Sequence, residues 1–230
     1  MDTLKFFRSG PRIASAIAAL TLLLTAIAGC SMANGDTKEP LVTQDVADSE
    51  SVIEALEAAD RITAKKALLS IGDRWTISAD GEKIGEIRGE AIYLIGDTYS
   101  LFSTASNLVS SEAEGYRVVH HSAKLYDHSN EPRGEIKQKF AWLLSEYEIL
   151  NAEGEVRGTA KQNLSFTMSF DVLGKSGAPE YSISKAAFAI GADLTIEAKS
   201  KDRSVDAIDA LWIAVIASEV EEAEASKSDS

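Results

Sequence analysis

The chain has 230 residues, 45% hydrophobic and 26% charged, a balance that excludes a disordered polar chain and provides for a packed core. Its 36 acids outnumber its 23 Lys and Arg residues, and the net charge of −13 disfavours broad attraction to nucleic-acid phosphates or anionic headgroups. A single cysteine excludes an internal disulfide.

Residues 1–12 carry Lys5, Arg8 and Arg12 against Asp2, and residues 13–28 are uncharged, which is the layout of an export signal. The uncharged run is shorter than the roughly 20 residues of a comfortable membrane span. It ends in Ile27-Ala28-Gly29-Cys30, where small residues suit a signal peptidase and the thiol can accept a diacylglyceryl group, the lipobox pattern of bacterial lipoproteins. Residues 1–29 are therefore expected to be a signal peptide, with Ile27, Ala28 and Gly29 as its cleavage motif and Cys30 as the lipid-bearing first residue of the mature protein. Acyl chains there would anchor the chain to a membrane without spanning it. Ser31 at the next position, rather than Asp, favours the periplasmic face of the outer membrane in a Gram-negative host. Loss of residues 1–29 removes three bases and one acid, so the mature part is more acidic still. Residues 30–50 are polar, acidic and poor in aromatics, and are expected to form a flexible tether.

A pattern of about 24 residues recurs through the remainder: an apolar residue, often a base soon after, an apolar stretch, then an acid and a second apolar strand. It begins at Ile62, Ile87, Ile136, Ala160 and Ile183, with spacings of 25, 49, 24 and 23 residues. The 49 is two periods, so a sixth, degenerate unit is expected between Leu108 and Asp127. Each unit reads as two strands, since Trp75-Thr-Ile77, Tyr99-Ser-Leu101 and Leu194-Thr-Ile196 alternate and are rich in aromatic or branched residues. Asp80-Gly81, Ser129-Asn130-Glu131-Pro132 and Glu153-Gly154 supply turns. Six units predict about twelve strands, and a sheet of that size curls shut.

After the last strand, Asp206 and Asp209 suit a helix N-terminus, and residues 207–217 are apolar on every side. Such a helix must be surrounded, and it is too short to span a bilayer. The expected fold is mainly β: a closed antiparallel barrel of about twelve strands, over residues 51–221, around a hydrophobic C-terminal helix that holds Trp212 in the interior. Residues 222–230 are expected to be a disordered acidic tail.

Leu68-Leu69-Ser70-Ile71-Gly72-Asp73-Arg74-Trp75-Thr76-Ile77, and residues 136–140 with Glu146-Tyr147-Glu148-Ile149, resemble the LURP-one-related family, as does the final hydrophobic helix. The resemblance runs over residues 61–220 and implies the tubby C-terminal-like barrel threaded by its last helix. Two stretches depart from the family pattern: only residues 173–182 are available for a hairpin usually found there, and residues 103–124 are longer than expected. The resemblance implies no activity, and the basic cluster with which tubby proteins bind phosphoinositides has no counterpart here.

Gly174-Lys175-Ser176 lacks the upstream glycine of a phosphate loop, because position 169 is Ser169. His120, His121 and His128 with Asp127 could supply metal-ligand chemistry, but adjacent strand residues face opposite sides, so no metal site is expected. Neither G-x-S-x-G nor H-E-x-x-H occurs, and neither an enzyme nor a cofactor is expected. Lys137, Lys139, Lys161 and Lys185 could share a face toward a lipid headgroup, although solvated strand positions explain them as well. The functional expectation is a membrane-anchored, non-enzymatic barrel that binds a phospholipid or an envelope protein and no nucleic acid, with a ligand-free scaffold as the alternative. Lipid binding requires a concave apolar or basic opening, and a scaffold a flat exposed apolar patch.

Overall fold

The computed structural model describes residues 39–68, 73–89, 98–115, 121–139, 144–165, 167–187 and 192–228. The chain divides into residues 1–44 and 45–230, and the described part of the first unit is the opening of one helix. That helix, α1, is Glu39–Ala58. Twelve strands follow: β1 Arg61–Lys66, β2 Arg74–Ala79, β3 Glu82–Gly89, β4 Thr98–Ser103, β5 Leu108–Gly115, β6 Ser122–Asp127, β7 Pro132–Lys139, β8 Glu146–Asn151, β9 Val156–Gln162, β10 Ser169–Gly174, β11 Pro179–Lys185 and β12 Asp193–Ala198. Helix α2, Ala207–Ser228, ends the described chain.

Each strand pairs antiparallel with its sequence neighbours, and β1 closes on β12 with Ile62 opposite Ile196. The six expected units are six successive strand pairs, and β5 and β6 form the degenerate one. Residues 103–124 hold β5 and its connections, while β10 and β11 join through a tight turn at Gly177 (φ +81°), so the strand count is complete. Asp80 and Gly81 both take positive φ, as a two-residue hairpin between right-twisted strands requires. Alternate residues point inward: Trp75 and Ile77 on β2, Tyr147 and Ile149 on β8, Phe170 and Val172 on β10, Leu194 and Ile196 on β12 are all buried.

Helix α2 fills the interior, where Ile208, Leu211, Trp212, Ile213 and Val215 are almost wholly shielded from water. Its backbone lies closest to β12, β11 and β1, off the barrel axis. The N-terminal end of α2 is fixed by charge. Glu180, itself buried, accepts from the backbone N–H groups of Ser204 and Val205, each at 2.9 Å. Arg157 grips Asp206 at 2.6 Å and reaches Asp209 at 3.4 Å, and Arg133 meets Asp206 at 3.1 Å.

Two expectations are corrected. Residues 39–50 are not a flexible tether but the first part of α1, whose residues from 48 to 57 meet the barrel end where α2 begins. Ser49, Val52 and Leu56, spaced by helical turns, are buried. Asp48 accepts from Ser103 Oγ and Asn107 Nδ2, Ser49 Oγ donates to the Leu108 carbonyl, and Glu57 accepts the Ala207 N–H at 2.6 Å. Nor are residues 222–228 a disordered tail: α2 continues through them to Ser228, held by Lys66 on Glu219 and Glu222 and by Lys185 on Glu221. Those lysines neutralise acids that sequence composition counts only as solvated charge.

Candidate functional site

Because α2 lies off-centre toward β11, β12 and β1, the facing wall, β4 to β8, stands away from it. Near the α1 end Trp212 crosses the gap and donates its indole N–H to Ser110 Oγ at 3.2 Å. Toward the opposite end, side chains of α2 leave a cavity of about 260 Å³. The helix contributes Val215, Ile216, Glu219, Val220, Glu222 and Ala223, spaced to share one face. The wall contributes Tyr99, Glu112, Ala123, Ile136 and Tyr147, with Asp73 and His121 at the margin.

Glu112 is the unusual member. It stands on β5 opposite Tyr99 on β4 and Leu125 on β6, with 2% of its surface exposed. Ser110 and Glu112 put polar groups at successive inward positions of a mainly apolar lining. At the margin, Lys66 bridges Asp73 at 3.1 Å, Glu219 at 2.8 Å and Glu222 at 2.9 Å, and lies 5.5 Å from the centre of the Trp75 ring. Desolvation pulls the Lys66 ammonium down, but its bonds to Glu219, Glu222 and Asp73 together outweigh this and hold it above the ordinary lysine value. Burial raises the Glu219 carboxyl, with Lys66 opposing. Burial also raises the Tyr147 phenol, with the Glu224 charge adding to the effect. Tyr99 donates to Asp73 at 3.1 Å. The opening is therefore apolar and acidic, whereas the expected alternative was apolar or basic.

The residues considered from sequence lie mostly elsewhere. His121 reaches the cavity margin, His128 sits past the other end of β6, about 23 Å away along a strand, and His120 lies outside the described residues. Asp127 builds its own turn, accepting the backbone N–H groups of Ser129 and Glu131. Among the described residues no three His, Cys, Asp or Glu are grouped to hold a metal. Gly174-Lys175-Ser176 opens the β10–β11 turn, where the Lys175 N–H donates to Ser204 Oγ at 2.9 Å. The lysines do not form a basic face: Lys137 pairs with Glu135, Lys139 with Glu146 and Glu148, and Lys185 with Glu221, while Lys161 is exposed opposite Glu146. Ile27, Ala28, Gly29 and Cys30 lie outside the described residues. No helix among the described residues is long and apolar enough to cross a membrane. The sequence reading overlooked Glu112, Tyr99, Glu219 and Glu222, although the loss of apolar alternation between Leu108 and Asp127 pointed to this wall.

No family model matches the chain, and no curated protein matches it. Among solved structures, the X-ray structure of the Arabidopsis thaliana protein AT5G01750, a LURP-one-related protein, is similar. Its TM-score is 0.51 at 13% identity, over 74% of this chain and 98% of that one. At that identity the likeness shows the fold alone, a tubby-like closed barrel of twelve antiparallel strands with a C-terminal helix.

Proposed function

We propose that this protein is a lipid-anchored bacterial envelope protein of the LURP-one-related family whose barrel is a non-enzymatic receptor for a small amphiphilic ligand. The reading of the anchor rests on Ile27-Ala28-Gly29-Cys30 and the export-type segment before it. What supports ligand binding is one observation: a cavity of about 260 Å³ between α2 and the β4–β8 wall, walled by Val215, Ile216, Val220 and Ile136 and containing the buried carboxylate of Glu112. Concave, mostly apolar spaces with a few convergent polar groups are the form ligand sites take. A structural scaffold would have no use for such a space, which forfeits packing contacts.

The test is native mass spectrometry of the full-length protein purified from its own membrane, beside a variant in which Ala123→Leu fills the cavity. A non-covalent adduct on the natural protein that is lost in the variant is the expected result. A natural protein free of adducts, and indifferent to added amphiphiles, would leave the scaffold reading in its place.

A further inference from the structure

The two ends of the barrel differ in chemistry. Five hairpin turns, at residues 80–81, 104–107, 128–131, 152–155 and 175–178, close the end where α2 begins. In sequence they hold no Val, Leu, Ile, Met, Phe, Trp or Tyr. Six connections leave the other end, and their composition is the reverse. Residues 140–145, 163–168 and 186–192 contain no charged side chain, and each of these stretches contains an aromatic one. Residues 67–73, 90–97 and 116–121 each contain at least three large apolar or aromatic side chains.

The described residues show this contrast at the surface. Of the three large apolar side chains among them that are exposed, two stand at this end: Leu68, 61% exposed, and Leu164, 82% exposed. The third, Val156, begins β9 at the opposite end. Ala67 before Leu68, and Ala186 and Ala187 after β11, are exposed as well. In ring order, β10, β11, β12 and β1 are successive neighbours, so Leu164, the two alanines and Leu68 mark one continuous arc of the rim.

We infer that this rim is a bilayer-contacting surface, with Leu68 and Leu164 entering the acyl region of a membrane of zwitterionic lipid. The inference uses the anchor of the reading above and not its ligand. Scattered apolar side chains need no explanation, but an apolar end opposed to a polar one does. Apolar connections recur in every strand pair around the ring, whereas a protein partner's footprint would single out one side. A plane meets the whole ring at once. An anchor at Cys30 would hold a bilayer within reach. Residues 30–38 can extend about 30 Å, more than the ~20–27 Å length of strands of six to eight residues. A chain that joins the barrel at its polar end therefore still lets the apolar end meet the same membrane. The acids of α2 nearest this end, Glu219, Glu221 and Glu222, are ion-paired with Lys66 and Lys185. With a net charge of −13 the chain has no general attraction to anionic headgroups, so apolar insertion has to carry the contact.

Leu164→Cys and Ser176→Cys, on either side of β10 and at opposite ends of the barrel, would each carry an environment-sensitive thiol dye. The labelled full-length protein is placed in phosphatidylcholine vesicles, with the unsubstituted chain as the blank. The dye at 164 is expected to shift its emission to the blue and to be quenched by phosphatidylcholine bearing a doxyl group on its acyl chain, while the dye at 176 stays in water. Leu68→Asp, at an exposed position that leaves the melting transition unchanged, should reverse both changes at 164. High salt should not, because insertion of apolar groups is not screened. A dye at 164 that stays in water, dyes at both ends that respond alike, or a response lost in high salt overturns the inference and leaves the anchor and the ligand readings standing. A response that fades as the protein is spread over more lipid assigns the rim to a second copy of the chain and overturns it as well. Dye uptake by the blank would show a free Cys30 and fail the anchor reading alone; the comparison then runs in a Cys30→Ser chain with the same deciding outcomes.

Discussion

Trp212 on α2 donates its indole N–H to Ser110 Oγ on β5 at 3.2 Å, and Ser110 donates onward to the Tyr126 carbonyl at 2.7 Å. This buried chain is one polar link between the central helix and the far wall. Ser110→Ala leaves the indole N–H without an acceptor and should cost about 1–3 kcal/mol. Urea denaturation checks it: the loss should shrink when Trp212→Phe has already removed the donor, and equal losses in both backgrounds would show the two residues to be uncoupled.

Ile213 is wholly buried on the part of α2 that is apolar all round. Ile213→Asp places an ion in that interior at a cost of at least several kcal/mol, comparable to the total stability of about 5–15 kcal/mol of a typical domain. The variant should not give a soluble, cooperatively melting protein. Truncation after Ser204 should likewise aggregate, since it leaves the barrel lining bare. A truncated chain that melted cooperatively would show α2 to be dispensable to the core.

Burial pushes the Asp209 carboxyl up to about 6 from its ordinary 3.8, against the pull of Arg133 and Arg157. Between those values the folded protein holds a proton that the unfolded chain releases. The group's contribution is therefore full below its unfolded value and lost as the pH rises through about 6. Its size is up to about 3 kcal/mol. Burial raises Glu57 and Glu219 too, so they act in the same direction. Thermal melts from pH 4 to 8 should show stability falling with pH, and Asp209→Asn should flatten the curve. An unchanged slope in that variant would assign the dependence to other groups.

Leu56 on α1 is wholly buried. If α1 belongs to the folded unit, Leu56→Ala should cost about 2–5 kcal/mol, as large-to-small changes in a core do. A chemical denaturation midpoint identical to that of the natural protein would show that Leu56 contributes nothing to the folded unit.

Cys30→Ser should abolish metabolic labelling of the protein by a radioactive fatty acid and leave the signal segment uncleaved. Labelling that persisted in the variant would remove the basis for the anchor.

The barrel was legible because its strands obey a two-residue alternation inside a period near 24, and because residues 207–217 admit no exposed face. What was not legible depended on partners distant in the chain. Nothing near Glu219, Glu221 or Glu222 in sequence shows that Lys66 and Lys185 will meet them. Helix α1 was missed for a similar reason, because Val52 and Leu56 form an apolar stripe that has meaning only against a barrel end not yet built. The candidate site fell in the one unit whose periodicity failed. There Ser110 and Glu112 occupy inward positions that apolar residues fill on most other strands. Departures from local pattern are where functional constraint is expected to compete with folding rules.

The pairing of β1 with β12 sets the order in which the molecule can be made. Ile62 cannot find Ile196 until the ribosome has passed the last strand, and the interior stays empty until Ala207 to Val220 have followed. Every earlier strand can meet its sequence neighbour during synthesis, but the ring cannot close, and its water-averse lining has nothing to cover it. Folding of the barrel is consequently an event of the completed chain, slow for its size because its decisive contact joins the two ends of the sheet. Until then Trp75, Tyr147 and Phe170 remain open to whatever holds the nascent protein unfolded.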